Sequence, residues 1–503
     1  MHYQLSALGR IIVCEERIPG KRSRLWDHEE ALSVLKRRMG TERVEALSLC
    51  FELESTNRHC FTRKEFKKLK YLWYLQVDGT DLAGDFEDVL FHLRWLNWRG
   101  CSPYFQLTNF CLENLVILDL SNSCITEDWG GWSHFKVAKK LKVLQLANCG
   151  LRRTLDFSSY EILERLILRS CESLMEIHLS IGSMKNLKVL DISYADIRTL
   201  PAEIWMLEKL EVMDFTKSGN LRGDIPSYMG KLSSLRFLSF CDTKIQSLPR
   251  SLRNLCCLQT LNLGGCTYLQ SLPELPSSLR VLHVASIPNL TNLVNLQELH
   301  FVGGCEYAEI PRDIGNLSKL EKLTLDSTNI RILPKEIGVL SHLKLLNVQF
   351  CDDLQYIVGL PSSLVDLSLA YCDSLERLPY LSYLKSLSKL LLHNCESLTK
   401  VQGLGRLESL TNLNINACDM LANLGDMSNL SKLIALCITN CRGLMRIQGL
   451  AELEFLRCVD LHGCENLYHI EGLKDLGSLE VFDVLGCPLE TIQNLPNMPI
   501  QRC

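Results

Sequence analysis

The chain has 503 residues, 47% of them hydrophobic but only 7% aromatic, which sets up an aliphatic core. Its formal net charge of −4 lacks the basic excess of a protein that binds nucleic acid or membrane surfaces electrostatically. No basic run followed by an apolar stretch opens the sequence, and no apolar window reaches the ~18 residues of a membrane span, so neither a secretory leader nor a transmembrane helix is expected.

Residues 1–40 carry no internal repeat. His2 to Glu16 is predicted to form an amphipathic helix with Leu5, Leu8 and Ile12 on one face. A basic turn follows, Arg17-Ile18-Pro19-Gly20-Lys21-Arg22-Ser23-Arg24. Asp27, with Glu30 three residues on, has the spacing of a helix N-cap. Ala31, Leu32 and Leu35 give this second helix its apolar side, and Gly40 is its expected stop.

From residue 41 to 503 one motif recurs, L-x-x-L-x-L-x-x-C. It runs from Leu141 to Cys149, Leu163 to Cys171, Leu258 to Cys266, Leu343 to Cys351, Leu364 to Cys372 and Leu387 to Cys395, and again from Leu410, Leu433, Leu456 and Leu479 to Cys418, Cys441, Cys464 and Cys487. Between Leu364 and Leu479 the starts fall every 23 residues without a slip. Looser copies start at Leu72, Leu93, Leu115, Leu187, Leu210, Leu235, Leu279, Leu296 and Leu320, making nineteen, and Val44-Glu45-Ala46-Leu47 reads as a degenerate first one. Period and pattern are those of leucine-rich repeats. Leucines two apart share one face of a short strand, and stacking successive coils buries them. The expected fold is therefore α/β, a leucine-rich-repeat solenoid (horseshoe) with a parallel concave sheet of about 19–20 repeats behind a short helical stub. The return segments often read L-P-x-x-I-G, as in Leu200-Pro201-Ala202-Glu203-Ile204, and predict extended or 3₁₀ turns with a few short helices.

The cysteines gain a reading from this register. Eleven of the 23 sit eight residues after a first leucine, Cys101 included. That slot turns inward after the strand, where a thiol packs as a small hydrophobe and donates to neighbouring carbonyls. No spacing fits a zinc site. Thiols in such number point to a reducing compartment, the cytoplasm, with the nucleus as the alternative.

The first forty residues resemble a specific family junction. Met1-His2-Tyr3-Gln4-Leu5, Leu8-Gly9-Arg10, Ile12-Val13, then Pro19-Gly20-Lys21-Arg22-Ser23-Arg24-Leu25-Trp26 and Glu30-Ala31-Leu32 look like the end of the winged-helix subdomain in plant nucleotide-binding leucine-rich-repeat resistance proteins of the Toll/interleukin-receptor-like class. The resemblance implies two segments, residues 1–40 as the remnant of a nucleotide-binding module and 41–503 as the repeat domain. It implies a receptor that holds ADP at rest and exchanges it for ATP. His2 stands where the family's histidine meets a phosphate, but Tyr3 replaces the aspartate of Met-His-Asp, and no G-x-x-x-x-G-K-[ST] loop occurs in the chain. His2 is thus vestigial here, and no cofactor is expected unless an upstream nucleotide-binding module supplies ADP or ATP.

Binding residues are sought between the strand leucines, on the exposed face. The N-terminal coils offer Tyr74, Asp78, Trp95, Asn97 and Arg99; the C-terminal coils offer Asp366, Lys389, His393, Asn412, Asn414, Asn416, Asp460, His462 and Asp483. Aromatic and arginine side chains suit protein interfaces, and Asn412, Asn414 and Asn416 alternatively form a side-chain ladder. His283, His300, His393 and His462 fall on the same face; catalysis by them needs a fixed partner and a pocket, which an open sheet does not offer by default. The expected function is non-enzymatic: the recognition module of a plant innate-immune receptor, binding a pathogen effector or host protein. A nucleotide-binding module in cis is a second partner, reached through Arg17, Lys21, Arg22 and Arg24, and neither nucleic acid nor membrane is expected. The alternative is a generic intracellular leucine-rich-repeat scaffold of the Ras-binding type.

Overall fold

The computed structural model describes residues 18–53, 58–104, 106–110, 112–285, 290–303, 310–473 and 476–488. The helix expected over His2 to Glu16, and His2 itself, lie outside them. The chain divides into two units, residues 1–258 and 259–503.

In the first unit, parallel strands Arg24–Leu25, Ala46–Cys50, Tyr74–Asp78, Trp95–Asn97, Ile117–Asp119, Val143–Gln145, Arg165–Ile167, Val189–Asp191, Val212–Asp214 and Phe237–Ser239 pair in that order. In the second, the same arrangement runs through Thr260–Asn262, Val281–Val284, Glu298–Val302, Lys322–Asp326, Leu345–Gln349, Asp366–Ala370, Lys389–His393, Asn412–Asn416, Ala435–Thr439, Cys458–Asp460 and Val481–Asp483. Each of the nineteen repeats read from the sequence supplies one strand, starting two residues after its first leucine. The degenerate copy supplies Ala46–Cys50. Registers align motif position with motif position, so Leu367, Leu390, Leu413 and Leu436 form one buried row and Asp366, Lys389 and Asn412 a row on the open face.

Several return segments form 3₁₀ turns, and others form the short helices Arg63–Phe66 and Trp132–Phe135 or short parallel strands. Pro201, Pro226, Pro249, Pro311 and Pro334 stand at the N-caps of 3₁₀ turns, where a missing N–H costs nothing. Ile204, Met229, Leu252, Ile314 and Ile337 plug the core from this side. The ladder cysteines are buried as the spacing predicts. Their thiols donate to carbonyls of the preceding coil, Cys171 to Leu146 at 3.0 Å, Cys464 to Ile438 at 3.2 Å and Cys487 to Leu461 at 3.1 Å.

Each of these coils turns a sharp corner after its strand. The residue just before the cysteine slot has left-handed backbone: Asn148, Ser170, Asn394, Ala417 and Asn440 have φ between 49° and 59°, and Gly463 has 73°. This corner lets the chain leave the strand and aim the next side chain inward. Asn and Gly accept it readily; other residues are strained.

At the N-terminus, Asp27 caps the helix His28–Lys36, its carboxylate accepting from Glu30 N at 3.0 Å. The helix stops before Gly40, since Arg38 turns left-handed (φ 52°) and Met39 N closes back onto Val34 O at 3.0 Å. Gly40 serves packing instead: a Cβ there would stand 2.4 Å from Leu69 Cδ2. Arg24, the last residue of the segment read as a basic turn, forms a strand with Leu25 that pairs with Ala46 and Leu47, and the buried Arg22 forms an ion pair with Glu30.

Leu413 is 1% exposed, whereas its neighbour Asn414 is on the open face. Leu413→Ala is expected to cost about 2–5 kcal/mol in urea denaturation, as a cavity-forming change, and Asn414→Ala to stay within about 0.5 kcal/mol. Similar costs from the two would mean that the strand faces are assigned the wrong way round.

Candidate binding face

The five residues singled out in the N-terminal coils converge. In-register pairing sets Tyr74 beside Trp95, and Gln76 beside Asn97. The Tyr74 ring lies 5.4 Å from Trp26 and 5.1 Å from Trp95, both edge-on. Trp95 Nε1 donates to Asn97 Oδ1 at 2.7 Å, Asn97 Nδ2 to Tyr74 Oη at 3.4 Å, and Tyr74 Oη to Gln76 Oε1 at 3.1 Å. Gln76 Nε2 donates to Asp78 Oδ2 at 2.6 Å, and Asp78 Oδ1 accepts from Arg99 N at 3.1 Å. Arg99 Nε ends the chain on Asp119 Oδ2 at 2.8 Å. Tyr74, Asp78 and Asn97 are buried, while Trp95 is exposed. Burial raises the Asp78 carboxyl above its usual value against the Gln76 bond that lowers it, and burial likewise raises the Tyr74 phenol.

The spacing did not single out Trp26, Gln76 or Asp119, which complete this network. Gln76 and Asp119 occupy the motif position between the second and third leucines, so the column rule that selected Asn97 also reaches them. Beside the network a groove of about 730 Å³ runs past Tyr71, Trp73, His92, Arg94 and Trp95. Tyr71 and His92 hold their rings 5.5 Å apart along it. Tyr71, Trp73, His92 and Arg94 lie just before the strands, outside the columns searched, whereas Trp95 opens its strand.

In the second unit the residues divide. Asp366, Lys389, Asn412 and Asn414 line one shallow cavity of about 430 Å³, with Ser368 and Leu391 between them. His393 lies apart, its ring 5.2 Å from Tyr371. Asn416 donates to Thr439 Oγ1 at 2.7 Å on the next strand. Asp460 and Asp483 are register partners whose carboxylates take up the backbone N–H of His462 and Leu485, at 3.1 and 2.9 Å. Those two aspartates thus cap the turns that end their own strands.

His283 and His300 sit on adjacent strands, stacked at 4.2 Å and 5°. His300 Nε2 is 3.7 Å from Glu298, which Lys322 pairs at 2.7 Å. Burial, then the neighbouring His300, pushes His283 down to about 4; burial also lowers His300. Both rings are therefore neutral near pH 7.

A family model described as a leucine-rich repeat region matches residues 224–324 and 280–446. Disease resistance-like protein DSC1 of Arabidopsis thaliana is 24% identical over 71% of this chain and 34% of its own length. TMV resistance protein N of Nicotiana glutinosa is 27% identical over 78% of this chain and 39% of its own length. Among solved structures, the Leptospira interrogans LRR protein LIC12759 aligns over 74% of this chain and 85% of its own, with 22% identity and a TM-score of 0.44. The chain spans about a third of the length of the curated relatives it matches. Their names agree with the family that the first forty residues resemble.

The histidine pair carries a pH prediction. A folded-state value below the unfolded one (6.5) favours the neutral form, so the unfolded chain takes up protons first as pH falls. Stability present above about pH 6.5 is then lost progressively down to about pH 4. His283→Gln should flatten this part of the curve: between about pH 7 and pH 5 its urea midpoint should fall less than that of the unsubstituted protein. Equal falls would show that the stacked pair does not titrate as its burial requires.

Proposed function

Starting from a leucine-rich-repeat chain related to plant disease resistance proteins, we propose that it is the recognition module of an innate-immune receptor and binds a protein ligand on the open face of its sheet. The observation that carries this reading is the Trp26–Tyr74–Trp95 cluster. It presents an exposed aromatic on a base of buried, mutually satisfied polar groups. A rigid aromatic anchor loses little entropy on binding.

In the receptor reading, the partner in cis is an upstream nucleotide-binding module, and ADP or ATP belongs to that module. The basic junction supports a narrower contact than its sequence suggests. Lys21 and Arg24 are exposed, but Arg22 is committed to Glu30, and Arg17 lies outside the described residues. We assign the chain a binding role rather than catalysis, and the cytoplasm as its compartment. The generic scaffold gains support from the L-P-x-x-I-G returns; the resemblance of residues 1–40 and the named relatives favour the receptor.

Photo-crosslinking in plant cells tests the ligand face. With a photoreactive residue at Trp95 or Asn412, discrete protein adducts are expected; at Lys319 or Glu408, in the outer turns, they are not. Equal yields at all four positions would overturn the proposal. Sequencing of full-length transcripts tests the receptor context: an in-frame upstream phosphate-binding loop is expected, and a transcript that starts at Met1 would remove the partner in cis.

A further inference from the structure

The left-handed corner before the cysteine slot carries an exposed aromatic in three coils: Tyr194 (φ 58°), Phe350 (53°) and Tyr371 (54°). A bulky side chain is strained in this conformation, where Asn or Gly is accommodated readily. Asn394, Asn440 and Gly463 show those residue types in the same slot of other coils.

Tyr194 shows what an aromatic here can hold. Its ring is clasped by two cations from adjoining coils, Arg169 at 5.3 Å and Lys217 at 5.2 Å. Phe350 and Tyr371 belong to consecutive coils and stack on each other at 4.7 Å and 11°. His393 meets Tyr371 edge-on. Phe350 is 49% exposed and Tyr371 37%. Around Tyr371, the motif positions of Arg169 and Lys217 are filled by Gln349 and Asn394. Around Phe350, the position of Arg169 is filled by Asp326. The cations of the Tyr194 site are replaced by neutral or acidic groups.

The charge next to the shelf has the complementary sign. Directly after the ladder cysteines, successive coils carry Asp352, Asp373, Glu396 and Asp419 in one row. The row is held coil to coil by Ser374 N donating to Asp352 O at 3.1 Å, and Ser397 N to Asp373 O at 3.2 Å. Burial, then repulsion from Glu396 and Asp352, raises the Asp373 carboxyl. Arg442 interrupts the row, standing 3.8 Å from Asp419 and 3.8 Å from Glu465 of the next coil. The slot that Arg442 fills is acidic in the coils of Phe350, Tyr371 and His393.

We propose that the Phe350–Tyr371 shelf, with Asp352, Asp373 and Glu396 beside it, binds an arginine-bearing peptide segment of a protein partner. The guanidinium packs against an outer face of the stacked pair, as Arg169 lies over Tyr194, and the carboxylates offset its charge. The inference rests on the reading of the chain as a protein-recognition module and supplies the chemistry of one contact.

The probe is a fluorescein-labelled peptide of alternating glycine and arginine, titrated against the full chain by fluorescence anisotropy; a glycine–glutamate peptide is the control. The arginine peptide should bind saturably, and more weakly as salt is raised. Phe350→Asn with Tyr371→Asn suits the left-handed corner, so the fold should be kept, which thermal unfolding checks. This pair of changes should weaken binding by about tenfold. Asp373→Asn with Glu396→Gln should weaken it comparably, and Lys319→Ala, in an outer turn, should leave it unchanged. The shelf is overturned by no saturable binding, by equal binding of the glutamate peptide, or by indifference to both double substitutions. A partner cross-linked through Trp95 whose capture those substitutions do not affect, with peptide binding equally unaffected, would overturn the shelf and leave the proposed function standing.

Discussion

No coil of this chain can bury its own leucines. Leu410, Leu413 and Ile415 leave water only because the coils before and after them close over the same row. Two apolar residues in a strand of five are far short of an independent core, and only stacking supplies it. This constraint fixes the register. A slip by one residue would send the buried row to solvent and the polar row into the core. Register in turn decides everything on the open face. Once leucine lies beside leucine, the residues between them fall into columns, and groups more than 20 residues apart in sequence become neighbours at strand spacing.

The same constraint explains the corners. The coil must leave each strand sharply and turn a small side chain inward, where a thiol reaches the carbonyl of the preceding coil. The turn requires left-handed backbone just before that thiol. Asparagine and glycine meet the requirement at low cost, whereas Ala417, Phe350 and Tyr371 do not. Two strained aromatics persist because the stacked leucines on either side over-determine the backbone there. The strain is thus carried by the core, and its consequence is a pair of rings held on the surface.

What could be read from the sequence follows this division. Strand positions, the inward cysteines and the proline-led return turns come from residues at fixed spacing within one repeat, and all are where the period puts them. The helix cap at Asp27 is equally local. What depends on a partner one coil away was not legible. Arg24 reads as the end of a basic turn because nothing nearby shows that Ala46–Leu47 waits to pair with it and Leu25. Gly40 looked like a helix stop because the sequence does not show Leu69 against it. On the face, the column rule found Tyr74, Asp78, Trp95, Asn97 and Arg99. It could not say that they form one hydrogen-bonded chain through Gln76 to Asp119, nor that Asp460 and Asp483 are spent on their own turns.

The two units offer a ligand different chemistry. In the first, the polar groups around Trp95 already satisfy one another, and Tyr74, Asp78 and Asn97 are buried. A partner gains little by hydrogen-bonding to them and would pay desolvation to disturb them. Its favourable contact is apolar, over Trp95 and into the groove by Tyr71 and Trp73. In the second, Asn412 and Asn414 are exposed around a shallow cavity, with the Leu391 side chain between polar neighbours. There a partner can exchange water for direct hydrogen bonds, with specificity coming from donor and acceptor placement rather than buried area. A ligand held by the first surface should therefore tolerate changes in its polar groups but not in its shape, whereas one held by the second should behave the other way round.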